Sequence, residues 1–205
     1  MLVLTVDQVD SRHHADRVEH AIADVRDRHG AALAAGPERT AGDEFQLATR
    51  DAGAALAIAL DLVRDGGWSV GLGVGALDSP LGPSVRALAG SAFVAAREAV
   101  TAAKKRPARF ALVVAAQHDP DATATLDPLV RLLLALRERR TAEGWELADL
   151  LDADPDRTLT EAAELLGIST QAASQRALTA GLRLDREARG ALETLLTAAD
   201  GRIGA

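Results

Sequence analysis

Five apolar or β-branched residues in a row, LVLTV at 2–6, open the chain and stop at Asp7, a pattern that predicts a short buried strand. The period then changes. From His14 to His29 the apolar residues Val18, Ile22 and Val25 recur every three or four positions and predict a helix. Two β-prone segments, Ala31–Ala35 and Phe45–Thr49, flank Gly36-Pro37 and predict a hairpin about that pair. Asp51 stands where it can cap a helix that runs through Ala55, Leu56, Ile58, Ala59, Leu62 and Val63 to Gly66-Gly67. Trp68–Leu77 predicts a strand, Gly90 opens a helix reaching about Lys105, Pro107 ends it, and FALVVAA, from Phe110 to Ala116, predicts a second buried strand.

Strand and helix patterns alternate as far as Ala116, and no strand pattern follows. Residues 117–128, QHDPDATATLDP, are rich in Asp, Pro and Thr and predict a linker. Past it, Leu129, Val130, Leu133, Leu134 and Leu136 give a helix with one broad apolar face, either a core helix or a dimerisation helix. Trp145, Leu147, Leu150 and Leu151 continue that pattern. The expected class is therefore α+β: a sheet-containing domain over 1–116, a linker over 117–128 and an all-α domain over 129–205.

Within the helical part, LTEAAELLGISTQAASQRAL, Leu159–Leu178, reads as a helix-turn-helix. Ala162, Ala163, Leu165 and Leu166 give the first helix an apolar stripe, and Gly167 supplies the residue that tolerates positive φ at the turn. Ile168 fills the angle between the helices, Ser169 caps the second, and Ala172 and Ala173 permit close approach. Ser169, Thr170, Gln171, Ser174, Gln175 and Arg176 are then the residues expected to contact base edges and phosphates of double-stranded DNA. Five arginines between Arg157 and Arg189 stand against Glu161, Glu164, Asp185 and Glu187, a local balance of +1, so binding is expected to need a homodimer.

Composition narrows the alternatives. The 205 residues are 48% hydrophobic with net charge -7, enough to bury a sizeable core. The absence of cysteine excludes disulfide scaffolds and thiolate chemistry. The first apolar run is too short for a signal segment, and no later window is long and apolar enough to span a membrane, so a soluble, cytoplasmic protein is expected. With two Trp, three Phe and no Tyr, single-strand stacking platforms are not expected. His13, His14, His20, His29 and His118 have no metal-ligand spacing.

The remaining chemistry lies at the N-terminus. Asp7 ends the first strand and Asp43 sits in GDEF beside the hairpin; neighbouring strands would bring both carboxylates to one sheet edge, the donor set Mg2+ uses when it carries a nucleoside triphosphate. Gly71, Gly73 and Gly75 fall on one face of a strand and leave it bare, for a ligand or for a tightly packed helix. Lys104, Lys105, Arg106 and Arg109 form a basic cluster, either a phosphate grip or a solvated helix end.

In order, DQVDSR, GDEFQ, VGLGVG and GSAFVAAR resemble the SatD-like family and, behind it, the class III nucleotidyl cyclase and GGDEF palm fold, over about residues 1–116. That resemblance implies a ferredoxin-like βαββαβ core followed by the helix-turn-helix domain. Asp7 and Asp43 match the cyclases' metal-binding aspartates, the Gln8–Ser11 loop would lie near phosphate, and Arg39 falls where adenylyl cyclases carry an adenine-reading lysine. Gln8, Ser11, Arg39, Gly71, Gly73, Arg97 and Lys104 are the nucleotide-contacting set so implied, with Mg2+ on the two aspartates. Val94 replaces the cyclases' Asn, Arg97 is displaced by one position, and Ala41 precedes GDEF, so the domain is expected to bind a nucleotide effector and not to catalyse. The alternative is a nucleotidyl cyclase or nucleotidyltransferase.

Overall fold

The computed structural model describes residues 1–78, 82, 84–115 and 121–203. It is a mixed α/β structure that divides into two compact units, one of Met1–Arg131 with the residues from Ala191 on, the other Leu132–Gly190.

The first unit is built on a five-stranded sheet of β1 (Leu2–Gln8), β2 (Leu33–Ala41), β3 (Glu44–Thr49), β4 (Trp68–Val74) and β5 (Phe110–Val114). Their order is β2-β3-β1-β4-β5, antiparallel except for the parallel β4–β5 pair. Helix α1 (Val18–His29) joins β1 to β2, α2 (Ala52–Asp65) joins β3 to β4, and α3 (Ser91–Ala103) lies between β4 and β5. Both faces of β1 are covered, which is why its sequence is a continuous apolar run and not an alternation. Leu2, Leu4 and Val6 pack with Leu47, Phe45, Val70 and Leu72 on the face that α1 and α2 cover. Val3, Thr5 and Asp7 point to the other face, against α3.

The predicted hairpin exists with its turn elsewhere. Gly36-Pro37 lies inside β2, at an irregularity between Ala35 and Glu38, while the chain reverses at Gly42-Asp43, where Gly42 has φ +51°. Gly36 also has positive φ, +78°, and a Cβ there would lie 2.7 Å from the Gln46 carbonyl oxygen, so the turn-like pair serves close strand approach. Asp51 caps α2 as expected, accepting from the Ala54 amide at 2.9 Å. β4 stops at Val74, three residues short of the predicted end.

In the segment predicted as linker, residues 117–120, including His118, lie outside the described ones, and from Ala122 the chain is already helical in α4 (Ala122–Glu138). Thr123 and Asp127 explain this. They hydrogen-bond the backbone of β5 at Val114 and Leu112, so the first turns of α4 belong to the sheet's core.

The second unit holds the end of α4, α5 (Ala142–Ala153), α6 (Leu159–Leu165), α7 (Thr170–Thr179) and the beginning of α8 (Leu182–Ile203). Thr141 caps α5, and Thr158 with Glu161 forms a reciprocal capping box on α6. A buried polar knot sits behind these helices. The Asp185 carboxylate is ion-paired to Arg140 at 3.0 Å, Arg189 at 2.9 Å and Arg137 at 3.6 Å. Arg137 and Arg140 lie over the Trp145 ring at 5.0 and 4.5 Å. Arg140 Nε also donates to the carbonyl of Ala180, the C-cap of α7, so the knot fixes that helix's end. Among the described residues no helix is long and apolar enough to cross a membrane.

Candidate functional site

On the α3 face of the sheet, register decides which polar groups meet. Asp7 is directly opposite Glu44 across the β1–β3 ladder, so the two carboxylates share a face. Two cations come down on them from α3. Arg97 and Lys104 are seven residues apart, two helical turns, and therefore on one side. Lys104 Nζ lies 2.6 Å from Asp7 Oδ2, and Arg97 Nη2 lies 3.4 Å from Glu44 Oε1. Both carboxylates are largely covered, with side chains 14% and 16% exposed, while their cations are 46% and 64% exposed. Glu44 also accepts from the Thr40 hydroxyl at 2.8 Å.

Asp43 turns away from this pair. Its carboxylate accepts the Ser11 hydroxyl at 2.5 Å, and its backbone oxygen accepts from the Gln8 amide at 3.0 Å. The Gln8 side chain is buried and is engaged at both ends by the loop after β1, donating to Ala15 O and accepting from the Arg17 amide. Arg39 bonds Gly42 O at 2.6 Å and Asp16 at 2.5 Å, and this hydrogen bond from Arg39 holds the Asp16 carboxyl below the usual carboxylate range.

Gly71 and Gly73, assigned to a nucleotide from sequence, face α3 instead. A Cβ at Gly71 would lie 2.2 Å from Val100 N, one at Gly73 2.2 Å from Ala96 N and one at Gly75 2.3 Å from Ala92 N. The bare strand face is filled by helix backbone, which leaves no room there for a ligand. The space that is open lies beside it, a cleft of about 430 Å3 over β2 and β3 lined by Thr40, Gln46, Arg86, Leu88, Phe93 and Arg97. Of the expected nucleotide set only Arg97 lines it. Arg86, Leu88 and Phe93 were missed because they gather at the cleft from the segment before α3 and from α3 itself.

The Asp7 and Asp43 carboxylates are the expected donors for Mg2+. The ion needs carboxylate oxygens converging on one point, with other positions left to water or phosphate. Asp7 already carries an ammonium, Asp43 is turned to Ser11, and among the described residues no group of three or more His, Asp or Glu is placed to hold a metal. As arranged, these residues do not fit a resident Mg2+.

The second candidate is the α6–α7 pair. After α6 the chain turns at Gly167, φ +64°, with the Gly167 and Ile168 amides donating to Glu164 and Ala163 carbonyls. Ser169 then caps α7, accepting from the Ala172 amide at 3.1 Å. Ala162, Ala163 and Ala173 are buried where the helices meet; Ala172, expected there, is exposed, as is Leu165 at 63%. Thr170, Gln171, Ser174 and Gln175 are exposed on α7. Two expected readers point elsewhere: the Ser169 hydroxyl is engaged as cap, and Arg176 lies along α5, 3.3 Å from Glu146, with 23% of its side chain exposed. The capping box at the start of α6 was legible in the spacing T-x-x-E at 158–161.

Comparison with protein-family models, with curated proteins and with solved structures found no match for this chain.

Proposed function

We propose that this chain is a DNA-binding transcriptional regulator in which α6, the Gly167 turn and α7 form a helix-turn-helix. The carrying observation is the outer face of α7: Thr170, Gln171, Ser174 and Gln175 are exposed hydrogen-bonding side chains on a helix fixed at both ends, by Ser169 at its start and Arg140 at its end. Such a helix suits a major groove, where amide and hydroxyl side chains read base edges. A homodimer would present two such helices to half-sites about one DNA turn apart. The exposed Leu132 on α4, at 69%, supports a second copy there.

For the first unit the reading is a ferredoxin-like, cyclase-like palm that binds a nucleotide effector. The order β2-β3-β1-β4, with α1 and α2 as crossovers, supports it, β5 being an addition parallel to β4. The cleft beside Arg97 is the seat this reading favours, and the cytoplasm is the compartment it requires.

Selecting bound duplexes from a random pool, then measuring affinity by fluorescence anisotropy against salt, tests the DNA part. A preferred sequence whose affinity falls on Gln171→Ala is expected; retention without sequence preference would refute it. Thermal shifts with nucleoside triphosphates and cyclic dinucleotides test the effector part, where a ligand at about a hundred times its Kd adds about 2.7 kcal/mol.

A further inference from the structure

We infer that Lys104 is an intramolecular counter-cation that closes Asp7 to divalent metal, so that any ligand binding on this face of the sheet is metal-independent. The inference rests on the nucleotide reading only for what that ligand is.

Three observations carry it. The first is the contact itself: the ammonium sits 2.6 Å from Oδ2 of a carboxylate that is 14% exposed, so it takes up much of the little access this carboxylate has. A divalent ion would have to displace an ammonium already in contact, and Mg2+ also gives up its own waters reluctantly. The second is how Lys104 is held. Its amide donates to Val100 O at 3.1 Å as α3 ends, its carbonyl accepts from Arg109 Nη1 at 3.1 Å, and Arg106 in the same turn is bonded to Asp127 at 2.6 Å. The backbone under the ammonium is fixed, so only the side chain's own rotation could vacate the position.

The third observation is that the rest of the donor set is satisfied in the same way. Glu44 is answered by Arg97 and Thr40, and Asp43 by Ser11. Asp7 and Glu44 are each matched by one cation, Lys104 and Arg97, and Asp43 is answered by a neutral hydroxyl, so the three carboxylates keep one net negative charge. Such a set attracts a divalent ion less than three unpaired carboxylates would. The cations meanwhile keep their outer sides in water, where further N–H groups can receive an anionic or polar ligand.

Mn2+ binding read by electron paramagnetic resonance tests this on the full chain, comparing wild type with Lys104→Met, Lys104→Arg and the Lys104→Met/Asp7→Asn double variant. Wild type and Lys104→Arg are expected to bind no Mn2+ up to millimolar concentrations. Lys104→Met should gain at least about tenfold in affinity, the gain disappearing in the double variant. Stoichiometric Mn2+ on wild type, equal to that of Lys104→Met and absent from the double variant, would overturn the inference, and the wild-type arm needs no variant to fold. A parallel thermal-shift series with nucleoside triphosphates, in EDTA and in Mg2+, should give equal shifts; a shift seen only with Mg2+ would also overturn it. No shift in either buffer would refute the nucleotide reading alone and leave the Mn2+ arm to decide on Lys104.

Discussion

The sheet face around Asp7 and the outer face of α7 are both rich in polar side chains, yet they treat them oppositely. On the sheet, Asp7, Glu44 and Asp43 each find a partner inside the protein, in Lys104, Arg97 and Ser11. On α7, Thr170, Gln171 and Ser174 stay exposed, while Ser169 is engaged as cap and Arg176 is turned to Glu146. The cause is geometric. A strand register places like charges directly opposite, and a largely covered carboxylate pair is costly unless cations come to it. A short surface helix needs polar help only at its ends, which leaves its outer positions open for another molecule.

The strongest way to break this comparison is at the glycine face. If Gly73 faced a ligand, Gly73→Val would spare the fold and block binding. Because a Cβ there would sit 2.2 Å from Ala96 N and 2.4 Å from Ala92 O, both backbone atoms, the variant is expected to lose its cooperative unfolding transition altogether, as followed by circular dichroism in urea.

Next in size is Asp185→Ala. It leaves Arg137 and Arg140, whose side chains are 8% and 1% exposed, without their carboxylate. Breaking a buried charge cluster from one side costs about 3–5 kcal/mol, so a fall of that order in unfolding free energy is expected. Loss of Arg140's position should also free the end of α7, which hydrogen exchange at Ala180 and Gly181 would reveal.

Smaller, and directed at the outer face itself, is Gln171→Ala. A bidentate amide contact to a base is worth about 1–3 kcal/mol of discrimination, so affinity for a selected duplex should fall by that much while thermal stability stays unchanged. Arg176→Ala sharpens the contrast. Its guanidinium is directed to Glu146, so the substitution should alter the packing of α7 on α5 and leave base preference intact.

How much of this was legible depended on range. The helix caps Asp51 and Ser169 and the turn at Gly167 could be read because each is a local transaction between a side chain or a φ angle and amides within a few residues. The hairpin turn was misplaced because Gly36-Pro37 carries stronger turn chemistry than Gly42-Asp43, and only the register with β3 reveals which pair reverses the chain. The fate of the glycine strand was decided by Ala92, Ala96 and Val100, residues four apart on α3 that fit its bare face. Ala92 and Ala96 were visible as small residues at helical spacing, but which strand they would meet was not. Lys104 and Asp7 are 97 positions apart, a pairing that no local pattern encodes.

The smallest effect concerns the box that starts α6. The Thr158 amide and hydroxyl both donate to the Glu161 carboxylate, at 2.8 and 2.7 Å, and these hydrogen bonds hold its carboxyl below the ordinary glutamate value. A group whose folded value is depressed stabilises the fold above the unfolded value and loses that contribution as pH falls through the folded one. Acidification through the carboxylate range should therefore loosen the start of α6, and the Glu161 side-chain resonance should titrate below the ordinary glutamate value. Thr158→Ala, costing about 1 kcal/mol, removes the hydroxyl donor and keeps the backbone amide, so it should move the Glu161 midpoint only part of the way to the ordinary range and weaken the acid sensitivity of α6. A midpoint unmoved in that variant would mean that the residue-158 amide and nearby Arg157, and not the hydroxyl, hold the carboxylate ionised.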